Sequence, residues 1–272
     1  MFRRVLVALD RAPDTGTILE TLGGVLAPEP EVHLLHVTQA LPVGPAALTE
    51  SICRDALGYL EGLAPRVPPG RVSCHVRGGS AVEQIARAAL ELNVDLVAAG
   101  TRGRPHLFTQ GMGEAVARRT GRPVLVARAG APARPIRRIL VPLAEPAHRI
   151  LDLVRRIATA HRAEVVVMHV EPPVLVMVGE ASLPAAVPIR PDPEYSRVAA
   201  SLRDHGLAAR CVLAEGDVSR EILAEARDMD VDLIALTVRA RGLLDRLFMG
   251  SVTAAVRRRA PCPLLLWAPR EG

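Results

Sequence analysis

The chain has 272 residues, of which 49% are hydrophobic, and it carries a formal net charge of +5. Its length suits two ordinary domains that each bury a core, and its hydrophobic content excludes a disordered polymer. No run approaches the roughly 18–20 apolar residues of a membrane span, and the amino terminus lacks a signal-peptide pattern. With four scattered cysteines and no paired spacing, we expect a cytoplasmic protein without a membrane partner, a disulfide framework or a zinc site.

The basic residues are all arginine, and no lysine occurs anywhere in the chain. The absence of lysine excludes a Walker A phosphate loop, Schiff-base chemistry and a protein-kinase strand lysine. The arginines are spread among 29 acids, and aromatic residues make up only 2% of the chain. Because little is available on which bases could stack, we expect no nucleic-acid partner.

From the amino terminus, short apolar runs alternate with alanine- and arginine-rich stretches. The runs are VLVAL (5–9), VHLLHV (32–37), DLVAAG (95–100) and PVLVA (123–127). They are typical of strands buried on both faces, and helical spacing lies between them, as in Ile85, Ala88 and Leu92. Ser80 before the latter stretch predicts a capped helix start. The order βαβαβαβαβ predicts a parallel sheet with helices on both faces.

The second half repeats the first at an offset of 133 to 140 residues. The matching segments are RRVLVALD (3–10) with RRILVPLA (137–144), EVHLLHV (31–37) with EVVVMHV (164–170), NVDLVAAG (93–100) with DVDLIALT (230–237), and RPVLVA (122–127) with CPLLLW (262–267). This period is far longer than that of a solenoid. It predicts an α/β protein of two tandem open parallel five-stranded sheets, Rossmann-like, with domain 1 at residues 1–131 and domain 2 at residues 132–272.

Two further stretches bear on this organisation. Residues 172–193 contain six prolines, so neither a regular helix nor a central strand is expected there. The last strands of the two halves, Val124–Ala127 and Leu264–Trp267, would each leave an exposed edge. We expect these edges to meet and form an internal pseudo-dimer; a further homodimer is left open.

Candidate ligand-binding residues collect at the carboxyl ends of the predicted strands in the first half. Asp10 follows strand 1, and Gly100-Thr-Arg102-Gly103 follows strand 4. Gly111-Met-Gly113 then precedes a helix whose amino terminus would favour an anion. Glycine at such positions lets backbone N–H groups approach phosphates closely. In open parallel sheets, ligands bind beyond this edge, where the strand order reverses.

With these residues, the chain resembles the universal stress protein family in its tandem form. The family signature is an Asp after strand 1, then G-x2-G-x9-G-[S/T] running from strand 4 into the last helix. Asp10, Gly100 and Gly103 match its beginning, and Gly250-Ser251 match its end. The resemblance implies an adenine nucleotide alpha hydrolase-like fold, a role in the stress response and binding of ATP. The nucleotide-binding residues it implies are Ala8, Asp10, Val37, Gly100, Arg102, Gly103, Gly111, Gly113, Gly250 and Ser251.

The two halves depart from the signature in different ways. In the second, Ala144 replaces the strand-1 Asp and Thr237 replaces the first glycine, so we expect a degenerate site there. In the first, a count from Gly103 puts Gly113-Glu114 at the final G-[S/T], whereas a count back from Pro123 puts Gln110-Gly111 there. Neither copy carries the full signature.

Three functions remain open on this reading. The first is a stress-response regulator that binds ATP or a related adenine nucleotide in domain 1. The second is a nucleotide-independent signalling or interaction module, and the third and weakest is a slow ATP hydrolase or nucleotidyl transferase. No catalytic residue or metal site is assigned. His36 and His169 occur at equivalent places in both copies, which predicts a shared structural role rather than acid–base catalysis.

Overall fold

The fold is taken from a computed structural model of the chain. It describes residues 1–11, 15–38, 46–101, 111–128, 134–145, 149–172, 174–178, 181–185, 193–238 and 249–268. The contacts divide the chain into two compact units. The first comprises Met1–Pro135, Val238–Ala240 and Pro263–Gly272, and the second comprises Ile136–Thr237 and Arg241–Cys262, as far as these ranges are described. The predicted boundary between residues 131 and 132 lies outside the described residues.

The first repeat has the predicted alternation of strands and helices. Its elements are β1 (Phe2–Leu9), α1 (Thr15–Gly23), β2 (Leu26–Thr38), α2 (Ala46–Leu63), β3 (Arg71–Gly78), α3 (Ala81–Glu91), β4 (Leu96–Thr101), α4 (Met112–Thr120) and β5 (Val124–Arg128). Consecutive residues of β1 from Val5 to Ala8 are all at most 2% exposed. Such a continuous buried run requires cover on both faces of the strand, which helices on both sides of the sheet provide.

The second repeat follows the same plan with one addition. Its elements are β6 (Arg138–Pro142), α5 (Ile150–His161), β7 (Glu164–Glu171), β8 (Val174–Val178), β9 (Ala181–Ala185), α6 (Pro193–Asp204), β10 (Ala209–Glu215), α7 (Val218–Asp228), β11 (Leu233–Thr237), α8 (Met249–Arg259) and β12 (Leu264–Trp267). The addition is an antiparallel hairpin of β8 and β9 that forms a separate two-stranded sheet. The described residues of the proline-rich stretch thus include a separate two-stranded sheet, which is more regular than we expected, and the stretch ends at Pro193, where α6 begins.

In the first unit, the parallel strands lie in the order β5-β4-β1-β2-β3. In the second unit, the order β10-β7-β6-β11 reproduces four of these positions. In both, the first strand of the repeat lies between its second strand on one side and its fourth on the other. The strand order therefore reverses next to β1 and next to β6.

The last strand of the chain belongs to the first unit. β12 pairs antiparallel with β5, with Leu264 opposite Val126 and Leu266 opposite Val124. The Trp267 Nε1 donates a hydrogen bond to the Gly121 carbonyl oxygen at 2.9 Å. The pairing of these two strands is the one expected from their unprotected edges. The pseudo-dimer as a whole stays a prediction.

At the amino ends of the strands, side chains tie β1 to its neighbours. The Asp95 carboxylate, just before β4, accepts from the backbone N–H groups of Arg3 and Arg4 at 2.9 and 3.1 Å. The Arg4 Nε donates to Glu31 Oε2 on β2 at 2.9 Å, and this hydrogen bond lowers the pKa of Glu31. These contacts cross-link three adjacent strands.

The second repeat builds the same network from equivalent residues. Asp232 accepts from the backbone N–H groups of Arg137 and Arg138 at 2.8 and 3.0 Å. The Arg138 Nε donates to Glu164 Oε2 at 2.8 Å. Since each pair of residues occupies the same register position in its own sheet, the network is a property of the fold.

Helix starts differ between the copies in one detail. Asp217 caps α7, accepting from the Arg220 backbone N–H at 2.9 Å, and aspartate is among the residues preferred at this position. Ser80 occupies the equivalent N-cap position of α3, but its side chain makes no capping hydrogen bond. The predicted helix start is therefore correct, whereas the predicted side-chain cap at Ser80 is wrong.

Candidate functional site

The candidate site of the first unit lies at the carboxyl ends of β1 and β4. These strands pair in register up to Ala8 opposite Ala99, so Asp10 and Gly100 follow directly on adjacent strands. The chain leaves β1 towards β2, whereas β4 lies on the other side of β1. The strand ends diverge there, and a crevice at such a point is where open α/β sheets bind ligands.

Asp10 is the first residue beyond β1, and it is only 9% exposed. A buried carboxylate at this edge can accept hydrogen bonds from a sugar hydroxyl or an amine. Ala8 lies within β1 at 2% exposure, and Val37 near the end of β2 at 8%. Leu9 is opposite His36, so Val37 is next in register and accompanies Asp10 at the end of the strand pair. Three of the predicted residues thus lie together.

Side chains of three elements hold the end of β1 by its backbone. The His36 Nδ1 lies 2.9 Å from the Leu9 carbonyl oxygen and must donate to it, because a carbonyl can only accept. The Tyr59 hydroxyl donates to the next carbonyl, that of Asp10, at 2.9 Å. The Thr15 hydroxyl lies 2.8 Å from the Tyr59 hydroxyl and 3.4 Å from the same Asp10 carbonyl oxygen. We call His36 and Tyr59 the strand-end clamp.

The second unit contains the corresponding clamp without the carboxylate. His169 Nδ1 donates to the Leu143 carbonyl oxygen at 2.9 Å, and the Tyr195 hydroxyl donates to the Ala144 carbonyl oxygen at 2.9 Å. The rings of His169 and Tyr195 are stacked with their centroids 4.1 Å apart. The two histidines therefore share a structural role, as predicted from their occurrence in both copies.

Sequence reasoning missed the tyrosines. They are the only two tyrosines in the chain, at positions 59 and 195, and their spacing falls within the offset of the repeat. That coincidence is the signal that could have identified them. It carries no chemistry by itself, however, because their partners are main-chain carbonyls far away in the sequence.

The glycines divide into two groups. Gly100 ends β4, and no described atom lies within 4 Å of a Cβ built on it. Gly111 is the N-cap of α4 with φ +88°, a left-handed conformation that favours glycine. Both positions keep the backbone accessible, as a phosphate-binding edge requires. Arg102 and Gly103 lie outside the described residues.

Gly113 has a different environment. It is buried within the first turn of α4, and a Cβ there would lie 3.1 Å from Val126 Cγ2 and 3.2 Å from Leu266 Cδ1. The geometry therefore gives Gly113 a role in packing α4 closely against β5 and β12. Its predicted part in nucleotide binding is not supported by a second observation.

Glu114 follows in the same first turn and is only 6% exposed. Its carboxylate occupies the helix end that would otherwise favour a phosphate. The burial of residues at the carboxyl end of α4 indicates which of the two alignments applies, the count from Gly103 or the count back from Pro123. Val116 and Thr120 in α4 have the same burial as Val256 and Ala260 at α8, which favours the count back from Pro123. Gly111 then corresponds to Ser251, and α4 begins later than α8.

The equivalent edge of the second unit lacks the carboxylate and the strand-end glycine of the first. Ala144 follows β6, and Thr237 ends β11 in place of Gly100. Among the described residues, the buried Thr237 Oγ1 has no hydrogen-bond partner. Gly250 and Ser251 lie in the first turn of α8, and the Ser251 side chain is outside the described residues. The second repeat thus has the scaffold without the strand-end acid.

Other chemistry-bearing groups lie elsewhere. Within the described part of the chain, no three His, Cys, Asp or Glu side chains are grouped to hold a metal ion. Cys262 is buried, as expected of a structural thiol, and burial raises the pKa of Cys74 and of Cys211. A raised pKa keeps a thiol protonated and unreactive.

One titratable pair lies on the sheet of the first unit, with His33 buried and His75 half-buried. His33 Nδ1 lies 3.3 Å from His75 Nε2, across β2 and β3. Burial lowers the pKa of both imidazoles, and the neighbouring Glu31 carboxylate opposes this at His33. A lowered pKa favours the neutral form of both rings.

Within its described residues, the structure contains no helix whose length and hydrophobicity would allow it to cross a bilayer.

Comparison with known proteins places these observations in a family. The model of the universal stress protein family matches residues 1–128 and again residues 135–267. A Thermus aquaticus protein described as "Universal stress protein in QAH/OAS sulfhydrylase 3'region" is 31% identical over 121 residues, which are 44% of this chain and 88% of that protein.

Solved structures agree on the fold. A universal stress protein from Archaeoglobus fulgidus aligns with TM-score 0.77 at 18% identity, covering 98% of this chain and 97% of that one. A putative universal stress protein from Pseudomonas aeruginosa aligns with TM-score 0.61 at 17% identity, covering 98% and 94%. Since both repeats match the family model and the whole chain shares the fold, this protein belongs to the universal stress protein family, in its tandem form.

Proposed function

We propose that this protein is a cytoplasmic stress-response regulator that binds ATP or a related adenine nucleotide in its first repeat, while the second repeat has a degenerate site. Membership of the family supports the stress-response role. The observation that carries the nucleotide proposal is the placement of the buried Asp10 and of Gly100 on adjacent strand ends at the reversal of strand order.

Each residue contributes a distinct part to this proposal. Asp10 supplies an acceptor for a ribose hydroxyl, and Gly100 leaves room for the ligand among the described atoms. Gly111 places no side chain at the N-cap of α4, a helix end that favours an anion except where the buried Glu114 carboxylate opposes it. The second unit supplies an alanine and a threonine at the first two of these places, so its degenerate site follows from the same reasoning.

Thermal unfolding with and without nucleotide tests the proposal. A ligand at about 100 times its Kd stabilises the folded state by about 2.7 kcal/mol. We expect ATP, or AMP, to raise the Tm of the wild-type protein and to leave that of Asp10→Asn unchanged. Glu145→Gln is the matched control, because it removes a carboxylate from the equivalent strand end of the second repeat. No Tm shift of the wild-type protein at millimolar nucleotide would refute nucleotide binding.

A second candidate function is a nucleotide-independent interaction module. Glu114 favours it, because a buried carboxylate in the first turn of α4 repels a phosphate at that helix end. The same titration decides between the two: this alternative requires a wild-type Tm that responds to none of ATP, ADP and AMP. Slow ATP hydrolysis is the weakest alternative, and it requires phosphate release that Asp10→Asn abolishes.

A further inference from the structure

The strand-end clamp occurs in both repeats, but it holds a different residue in each. In both, a tyrosine hydroxyl donates at 2.9 Å to a carbonyl oxygen just beyond the first strand, that of Asp10 directly after β1 and that of Ala144 two residues after the end of β6. In both, a histidine Nδ1 donates to the preceding carbonyl, also at 2.9 Å. The residue so held is Asp10 in the first repeat and Ala144 in the second. The same hydrogen bonds are therefore present in both repeats, but only in the first repeat do they hold a residue with a carboxylate.

The first repeat extends the clamp by one side chain. The single proton of the Tyr59 hydroxyl is donated to the Asp10 carbonyl, so the 2.8 Å contact between Tyr59 and Thr15 uses the proton of the Thr15 hydroxyl. Thr15, itself 7% exposed, is the first residue of α1. The end of β1 is thus linked by hydrogen bonds to Tyr59 in α2 and, through it, to Thr15 at the start of α1.

We propose that Tyr59 is a positioning residue for the nucleotide, acting through the main chain of Asp10; this rests on the function proposed above. The backbone of a residue sets the direction of its Cα–Cβ bond and restricts its side-chain rotamers. A hydrogen bond that holds the Asp10 carbonyl therefore restrains the direction in which the carboxylate leaves the strand. A site residue held in its bound orientation does not have to be ordered by the ligand.

Loss of the Tyr59 hydroxyl should leave the fold intact and loosen the carboxylate. The Asp10 carbonyl would lose its 2.9 Å hydrogen bond and keep the longer 3.4 Å contact to the Thr15 hydroxyl, so the Asp10 peptide would be held less tightly. A single hydrogen bond of this kind corresponds to a factor of about five to ten in an equilibrium constant. We expect Tyr59→Phe to weaken nucleotide binding by about that factor.

Tyr195→Phe is the matched control. It removes one hydroxyl from an equivalent hydrogen bond of the same length, at a place without a carboxylate. A purely structural role predicts that the two variants behave alike: both lower the Tm, and neither changes the Kd. A positioning role predicts that both lower the Tm, but that only Tyr59→Phe raises the Kd. Thr15→Val, which removes the hydrogen bond between Thr15 and Tyr59, should raise the Kd by a smaller factor.

The experiment is isothermal titration of the full-length wild-type protein and the three variants with ATP and AMP, together with the Tm of each protein without ligand. A five- to tenfold rise in Kd confined to Tyr59→Phe and, more weakly, Thr15→Val supports the inference. A Kd of Tyr59→Phe equal to that of the wild type overturns it and leaves the proposed function standing. If the wild-type protein binds neither nucleotide, the proposed function fails and the inference fails with it.

Discussion

The two repeats are alike at the amino ends of their strands and unlike at the carboxyl ends. At the amino ends, Asp95 and Asp232 each accept two backbone N–H groups from the start of the first strand. At the carboxyl ends, Asp10 and Gly100 of the first repeat correspond to Ala144 and Thr237 of the second. Each comparison involves the same strands of the same fold.

This contrast separates residues that the fold needs from residues that are candidates for binding a ligand. A contact that the fold needs is present in both copies, as the amino-end networks and the strand-end clamps are. A residue that occurs at this strand end in one repeat only is not needed by the fold. Asp10 and Gly100 of the first repeat are two such residues. The second repeat thus acts as an internal reference for the first.

The largest expected effect tests the shared part. Asp95→Ala and Asp232→Ala each leave two backbone N–H groups without their acceptor, and charge-assisted hydrogen bonds of this kind contribute about 1.5–3 kcal/mol. We expect losses of about 2–3 kcal/mol in the free energy of unfolding, similar for the two variants, as measured by urea denaturation. Asp→Asn at each position, which keeps one acceptor, should cost less. A loss at one position only would show that the network is not equivalent in the two copies.

The next prediction concerns Gly113, which the sequence assigns to the site and the geometry to packing. Gly113→Ala places a methyl group against Val126 and Leu266 and should destabilise the protein by about 1–3 kcal/mol. Gly58→Ala is the control, because in α2 no described atom lies within 4 Å of its Cβ; it should stabilise by about 0.5–1 kcal/mol. A Gly113→Ala variant that keeps full stability and loses only nucleotide binding would contradict the packing role.

We expect the His33–His75 pair to make the stability of the protein depend on pH. Burial lowers the pKa of His33 and His75 in the folded state. The unfolded chain therefore binds more protons, and stability falls as the pH drops through the ordinary histidine value of about 6.5 towards the folded-state values. The register of the second sheet places Val166 and Val212 at the equivalent positions.

The double variant His33→Val/His75→Val copies the second repeat and should reduce this acid sensitivity. Urea denaturation at pH 8 and pH 5.5 measures it. The charged groups near the pair are Glu31, Arg4 and Arg77, and all three keep their charge over this range. An unchanged slope of stability with pH would show that the pair does not titrate on unfolding.

The smallest effect concerns the second strand end. The buried Thr237 hydroxyl has no hydrogen-bond partner in the part of the chain that the structure describes, so Thr237→Val should leave stability unchanged or raise it by up to about 1 kcal/mol. Thr120→Val is the contrast, since the Thr120 hydroxyl donates to the Val116 carbonyl and accepts from the Arg122 N–H. It should cost about 1 kcal/mol. A clear loss of stability in Thr237→Val would mean that its hydroxyl has a role in the second repeat.

Much of the fold could be predicted because its signals are local and repeated. The apolar runs indicated the strands, and their recurrence indicated the duplication. The unprotected edges of the last strands indicated the pairing of β5 with β12. The shared role of His36 and His169 followed from their equivalent positions. The hairpin of β8 and β9 could not be predicted, because the prolines around it argue against regular structure.

The candidate site was only partly predictable. Asp10, Gly100 and Gly111 were predicted because acids and glycines at strand ends have a known chemistry, and their part in binding stays a prediction. The hydrogen bond of Tyr59 was missed, because its partner is a main-chain carbonyl 49 residues away. The packing of Gly113 could not be foreseen, since a glycine suits close approach by a phosphate and by a packed strand equally well, and only the neighbouring atoms show the packing.

The central claim is one nucleotide site per chain, in the first repeat. Isothermal titration of the full-length protein with ATP and with AMP tests it most directly through the stoichiometry. We expect one site in the wild type, none in Asp10→Asn and one in Glu145→Gln. Two sites per chain, or one site that survives Asp10→Asn, would contradict the division between the two repeats.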